Sequence, residues 1–178
     1  MIIQNECFTI RQLETSDKEI MANWLSDPRV LEYYEGRDRP HDLAQIEEHY
    51  FARSDETARC LVEYQGKPIG YIQFYPVFGE EREIYGYDAV EKIFGTDQFI
   101  GEPDYWNKGI GTQLVELAKQ YLFDSLEAER IVMDPQAVNE RAIACYEKCG
   151  YRKVKLLAKH ELHEGEMRDC WLMECKRP

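Results

Sequence analysis

The sequence predicts a mixed α/β (α+β) fold with a mostly antiparallel central sheet flanked by helices. Three observations carry this. Apolar runs of strand length alternate with amphipathic helical stretches, a hairpin signal sits at Gln65-Gly66-Lys67, and a strand, helix, strand, helix order runs from Asp97 to Gly150. The chain has 178 residues, 44% of them apolar. No repeat or Ser/Gly/Pro-rich linker interrupts it, so a single domain over residues 1–178 is expected, large enough to fold without a metal or disulfides.

The first strand is expected over Cys7–Leu13, with Phe8, Ile10 and Leu13 facing the core. A helix follows from Asp17, because Ile20, Met21, Trp24 and Leu25 recur at helical spacing and Ser16 or Asp17 can cap it. Pro28 breaks that pattern, and a second helix runs from Leu43 through Tyr50, opened by Asp42. Cys60–Tyr64 and Ile69–Tyr75 read as adjacent antiparallel strands, since Gly66 can supply the positive φ of a tight turn. The acidic stretch Gly79–Glu91 reads as an exposed excursion between strands. A strand over Asp97–Gly101 precedes a helix over Thr112–Phe123, whose Leu114, Leu117, Ala118, Tyr121 and Leu122 form one apolar stripe. Ile131–Met133 forms a short buried strand. The next helix opens near Asn139 and stops at Gly150, a good left-handed terminator. Two antiparallel strands, Lys153–Lys159 and Arg168–Cys175, close the chain across the polar segment His160–Glu166.

With 34 acidic and 22 basic residues the formal charge is −12, a field that repels phosphate polymers and attracts polycations. Nucleic acid is therefore not an expected partner. The amino terminus has no basic segment followed by a long apolar stretch, and no run approaches the ~18 apolar residues of a membrane helix. A soluble, cytoplasmic protein that does not engage membranes is expected. In that compartment the six cysteines read as reduced thiols, and no C-x-x-C pair points to zinc.

Two segments carry chemistry. Pro103-Asp104-Tyr105-Trp106-Asn107-Lys108-Gly109-Ile110-Gly111-Thr112 lies between a strand and an amphipathic helix. Its two glycines let the backbone turn tightly, so that several N–H groups face one anion at the positive end of the helix dipole. Lys108 precedes the glycines and no Gly-Lys-Thr/Ser follows, which excludes a Walker loop; Leu114 stands where a dinucleotide fingerprint needs its third glycine. The second segment is Asn139-Glu140-Arg141-Ala142-Ile143-Ala144-Cys145-Tyr146. Helical spacing puts Asn139, Ala142 and Tyr146 on one face. Simple capping by Asn139 and packing by Tyr146 account for this helix equally well.

In this order the two segments resemble the acetyl-coenzyme A site of the GCN5-related N-acetyltransferases, with its R/Q-x-x-G-x-G/A loop and N-x-x-A-x-x-x-Y helix. The resemblance implies that acetyl-CoA enters a V-shaped splay between two central strands. Lys108, Gly109, Ile110, Gly111 and Thr112 take the loop positions, Phe99, Ile100 and Gly101 the strand positions, and Asn139, Ala142 and Tyr146 the helix positions. Trp106 departs from the pattern, standing where Arg or Gln is usual. Trp24–Val30, Tyr34–Asp38, Ile69–Gln73, Asp97–Pro103 and His160–Gly165 look like the aminoglycoside 6'-N-acetyltransferases in particular.

That subgroup implies transfer of an acetyl group from acetyl-CoA to the 6'-amine of kanamycin- and tobramycin-class drugs in a ternary complex, without a covalent enzyme intermediate. Tyr146 would donate a proton to the leaving sulfur, and an N–H near Phe99 or Ile100 would face the carbonyl oxygen. Asp97 matches the active-site carboxylate. A carboxylate is a weak base towards an ammonium, so Asp97 is read as orienting the amine and passing its proton onward. Asp134, Tyr34, Gln73 and Asp88 are the other expected drug contacts. His160 and His163 are read as part of a hairpin loop bordering that site, with no metal. A monomer or weak homodimer is expected. Acetyl transfer to another polyamine or a protein amine, and a non-catalytic module binding coenzyme A or aminoglycoside, are the competing readings.

Overall fold

The computed structural model describes residues 1–88 and 90–178. Eight strands are joined by hydrogen bonds in the order β1-β2-β3-β4-β5-β6-β8-β7: β1 Ile3–Gln4, β2 Phe8–Gln12, β3 Ala58–Tyr64, β4 Lys67–Pro76, β5 Ile93–Ile100, β6 Arg130–Met133, β7 Arg152–His163 and β8 Glu166–Lys176. This is the expected mixed, mostly antiparallel sheet with helices between its strands. The chain divides into two compact units, Met1–Gln73 with Gln98–Lys108, and Phe74–Asp97 with Gly109–Pro178.

In the first unit the chain opens with β1 rather than with a strand at Cys7. Ile3 pairs antiparallel with Ile10, and β2 pairs along its length with β3, Ile10 opposite Val62. The helix expected from Asp17 begins as a 3₁₀ turn, Thr15–Asp17, and continues as α1, Lys18–Trp24. Pro28 is the first residue of a short helix, α2 Pro28–Leu31, where its missing N–H costs nothing; Asp27 caps it by accepting from the Arg29 amide. Asp42 opens α3, Leu43–Ile46, through a reciprocal capping box with Gln45, and the helix widens into a π turn over Glu47–Phe51. Met21, Trp24, Leu25, Leu61, Tyr71 and Phe99 form the core of this unit. Each such side chain contributes about 1.5–3 kcal/mol on burial. Gln65 and Gly66 both take positive φ, so β3 and β4 meet through the expected tight hairpin.

In the second unit, the acidic stretch between β4 and β5 is mostly exposed, as expected, but begins as a helix; Ala89 lies outside the described residues. Glu80-Glu81-Arg82-Glu83 favours helix, and α4 spans Gly79–Tyr85, ended by Gly86 at φ 81°. Tyr85 at its last turn is buried. The strand expected from Asp97 starts four residues earlier, because Ile93, Phe94 and Gly95 pair in parallel with Arg130, Ile131 and Val132. Helix α5, Ile110–Asp124, is the crossover between β5 and β6, burying Leu114, Val115, Ala118 and Leu122. Helix α6, Glu140–Lys148, ends before Gly150, whose φ of 86° matches the expected terminator. β8 pairs antiparallel with both β6 and β7. The last hairpin is tighter than expected: only Glu164 and Gly165, both at positive φ, separate β7 from β8. His160 and His163 are therefore strand residues, not loop residues. Among the described residues no helix is long and apolar enough to cross a membrane.

Candidate active site

The glycine segment folds as a cradle. Asn107 and Gly109 take φ of 58° and 75°, turning the chain sharply into α5, and Gly109 is its left-handed N-cap without a side-chain capping bond. The first bond of the helix runs from Gln113 N–H to Gly109 O, so the amides of Ile110, Gly111 and Thr112 precede the helical ladder. Three donors at the positive end of a fifteen-residue helix suit an anion. Lys108 beside them is exposed, and Ile110 is buried.

Helix α6 lies against α5. Asn139 caps it, its Oδ1 accepting from Ala142 N–H at 3.2 Å. Ala142 is half-buried, and the half-buried Tyr146 ring stands 6.2 Å from Tyr151. Thr112 Oγ1 and Cys145 Sγ are 3.5 Å apart.

In the first unit, Phe99 is a packing residue through its ring. It stacks on Tyr71 at 5.6 Å, is 4.7 Å from Tyr34 and meets Trp24 edge-on. Only its backbone remains for chemistry. A Cβ on Gly70 would collide with the Phe99 carbonyl, so glycine there permits a close approach of two backbones. Ile100 O accepts from Trp106 Nε1 at 2.8 Å, and Gly101 N–H donates to Ile69 O at 2.8 Å. Trp106 thus replaces the usual Arg or Gln with a bond that pins the loop to the end of β5. Gln73 accepts from the Tyr71 hydroxyl at 2.8 Å.

The carboxylates gather in the second unit. The β5–β6 register runs from Ile93–Arg130 to Gly95–Val132 and stops there. Continued by two residues, it brings Asp97 level with Asp134. Both charges act on the Tyr75 phenol, whose pKa burial pushes up first and Asp97, Asp134 and Glu81 push further. Directly before Asp97 on β5, Thr96 is 2% exposed and its Oγ1 has no hydrogen-bond partner among the described residues. Asp134 Oδ2 accepts from Tyr85 OH at 2.9 Å and meets His160 Nε2 at 2.8 Å. Tyr85 OH also reaches Glu81 Oε1 at 3.1 Å, and Gln136 donates to Glu161 at 3.3 Å. Burial raises the pKa of both Glu81 and Glu161.

Tyr85, Glu81, Glu161 and the His160 bond escaped the sequence reading. The signal was present in the helix-favouring Glu80–Tyr85 run closed by Gly86. Asp88 has an exposed side chain, and its carbonyl accepts from Arg82 at 2.8 Å.

The second unit thus holds a helix start with three leading amides and, separately, a cluster of acids around Asp134. Residues 14–159 match the acetyltransferase (GNAT) domain, and the chain belongs to that family. It is 29% identical over 152 residues to aminoglycoside N(6')-acetyltransferase type 1 of Klebsiella pneumoniae, covering 84% of this chain and 76% of that one. The structure of aminoglycoside acetyltransferase AAC(6')-Ib in complex with coenzyme A superposes with a TM-score of 0.76 at 26% identity, over 96% of this chain and 95% of that one. The fold is shared with spermidine N-acetyltransferase from Vibrio cholerae, at a TM-score of 0.77 and 22% identity, over 97% and 96% of the two chains.

Proposed function

We propose that the protein is an aminoglycoside 6'-N-acetyltransferase that moves the acetyl group of acetyl-CoA directly onto the drug's 6'-amine. The observation that carries this reading is an acid cluster in which Asp97, Asp134 and Glu81 all act on the buried Tyr75 and Asp134 also acts on Glu161. A cluster of acids of this kind suits a substrate bearing several ammonium groups, and the net charge of −12 draws it in. The kinship with aminoglycoside acetyltransferases supports it.

The residues fit acetyl-CoA. The free amides of Ile110, Gly111 and Thr112 would hold its diphosphate, with Lys108 adding charge and Asn139 and Ala142 lining the other side. The unpartnered Thr96 hydroxyl lies on the strand expected to take the thioester end. When bound, acetyl-CoA supplies an acyl group activated as a thioester. Holding amine and acyl carbon as near neighbours supplies about 7–11 kcal/mol, the largest share of the acceleration. Main-chain N–H groups near Phe99 and Ile100 would stabilise charge on the carbonyl oxygen, and Tyr146, protonated at neutral pH, would protonate the departing sulfur. Asp97 orients the amine. Tyr34 and Gln73 are further drug contacts, and Asp88 is an outer one.

The test is thiol release. Kanamycin and tobramycin should turn over, and spermidine and a lysine peptide should not. D97N and Y146F should each lower kcat by about 10²-fold. Turnover confined to spermidine or the peptide would replace this reading by another N-acetyltransfer. Unchanged drug protection in both variants would mean a binding module.

A further inference from the structure

We propose that His160, held by Asp134, is the group that takes the proton from the acceptor amine before acetyl transfer. This deepens the proposed function and rests on it. The chemistry demands such a group. An alkylammonium cannot attack a thioester, and a carboxylate is by its ordinary chemistry a weak base towards an ammonium, while its charge makes the ammonium harder to deprotonate. An imidazole is matched to the task near neutral pH.

The geometry supplies one. His160 lies on β7 with Nε2 2.8 Å from Asp134 Oδ2. An ionised carboxylate only accepts, so Nε2 carries hydrogen and Nδ1 is the basic position. Asp134 thereby fixes the tautomer and stabilises the imidazolium once formed, the division of labour of an Asp–His pair in hydrolases. Tyr85 OH also bonds Asp134 Oδ2 at 2.9 Å, and its ring centroid is 6.3 Å from that of His160, which limits how either can turn. The groups bearing on the imidazole are Asp134 beyond β6, Glu161 on β7 and Glu81 with Tyr85 on α4. Asp134, Glu161 and Glu81 favour the imidazolium, while burial opposes it and Tyr85 is neutral. The Asp134 hydrogen bond leads, and the His160 pKa is raised above its ordinary value.

The protons balance. Nδ1 of His160 takes one from the ammonium, directly or through water. The amine nitrogen then bonds the acetyl carbon as the carbon–sulfur bond breaks. Tyr146 gives its proton to the sulfur and regains one from the acylated nitrogen. The imidazolium returns its proton to solvent.

The experiment is the pH profile of kcat/KM for acetyl-CoA and tobramycin in wild type, H160Q and H160N, with tobramycin affinity measured by calorimetry. Wild type is expected to lose activity on the acid side with an apparent pKa above ~6.5. H160Q is expected to lose roughly 100-fold in kcat/KM at neutral pH, to lose that limb and to recover as the pH approaches the amine's own pKa, with drug affinity within about threefold. H160N serves if H160Q does not fold. A wild-type profile without the limb, or a folded variant that keeps both limb and rate, overturns the role of His160 while leaving the aminoglycoside reading intact. Turnover of spermidine alone overturns the aminoglycoside reading, and the same profiles on spermidine then decide His160. No thiol release with either acceptor overturns both.

Discussion

The Cβ that Gly101 lacks would overlap the indole ring of Trp24, so the end of β5 passes this side chain only because residue 101 is glycine. The indole is 3% exposed and donates from Nε1 to Glu102 Oε1 at 2.8 Å. The family resemblance puts Gly101 at a cofactor-strand position. Within its own unit its first duty is packing.

G101A should therefore act on stability before it acts on binding. Neither the buried ring nor the backbone held by Gly101 N–H to Ile69 O can yield freely, and overpacking of this kind costs about 1–3 kcal/mol. Combining it with W24L should cost less than the two losses added, because the smaller side chain makes room for the methyl. Urea unfolding of the two single variants and the double variant measures this directly.

Asn139 separates capping from ligand binding. Its Oδ1 accepts from Ala142 N–H, and N139A should lose about 1 kcal/mol of stability with that bond. N139D keeps a capping oxygen and suits the helix N-terminus, so its unfolding midpoint should stay near wild type. If the residue also lies beside the donor's phosphates, N139D should raise the KM for acetyl-CoA several-fold, a charge effect of about 1 kcal/mol that salt weakens. Steady-state kinetics at two ionic strengths checks it.

These cases show why parts of the fold were legible and others were not. The hairpin at Gly66, the cap at Asp42 and the stop at Gly150 are local events, each governed by one residue's φ or one side-chain oxygen. The start of β5 at Ile93 was not local, since pairing with β6 decides it. The two glycine and helix motifs could be placed from spacing alone. The neighbours of Asp134 could not: Tyr85 and His160 reach it from positions 49 and 26 residues away in the chain. Helix α4 went unread because its acids masked a single buried tyrosine.

Arg11 and Asp17 give a pH test of stability. Asp17 is 6% exposed; burial alone would raise its pKa, but the Arg11 guanidinium, bonded at 2.7 and 2.9 Å, and the Glu14 amide hold it below the usual value. A carboxyl lowered in the folded state stabilises above its unfolded pKa near ~3.9, and the benefit is lost as pH falls through the folded value. R11A should cost about 3 kcal/mol at neutral pH by leaving Asp17 buried without its counter-charge. The carboxyl then titrates above its unfolded value, so the variant's deficit should shrink on acidification towards pH 4. Unfolding at pH 7 and pH 4 gives the sign.

Cys145 should be the reactive thiol among the six. The neighbouring Cys149 thiol and Thr112, whose Oγ1 lies 3.5 Å from Cys145 Sγ, together outweigh burial and hold the Cys145 pKa below that of an ordinary thiol, while Cys149 is pushed up in return. Cys149 is 1% exposed, and its Sγ lies 3.6 Å from Thr112 O, so it is shielded as well as protonated. Thiolate is the nucleophilic form. Iodoacetamide followed by peptide mapping should label Cys145 first, with a midpoint below the ~8.5 of a free thiol, and C149A should move that midpoint up by removing the neighbouring thiol. Thr112 belongs to the first turn of α5, where the donor's diphosphate is proposed to sit, so coenzyme A should slow the labelling. Labelling of Cys145 at the same rate with saturating coenzyme A would place the diphosphate away from this turn, and a midpoint unmoved in C149A would assign the low pKa to Thr112 and the helix instead.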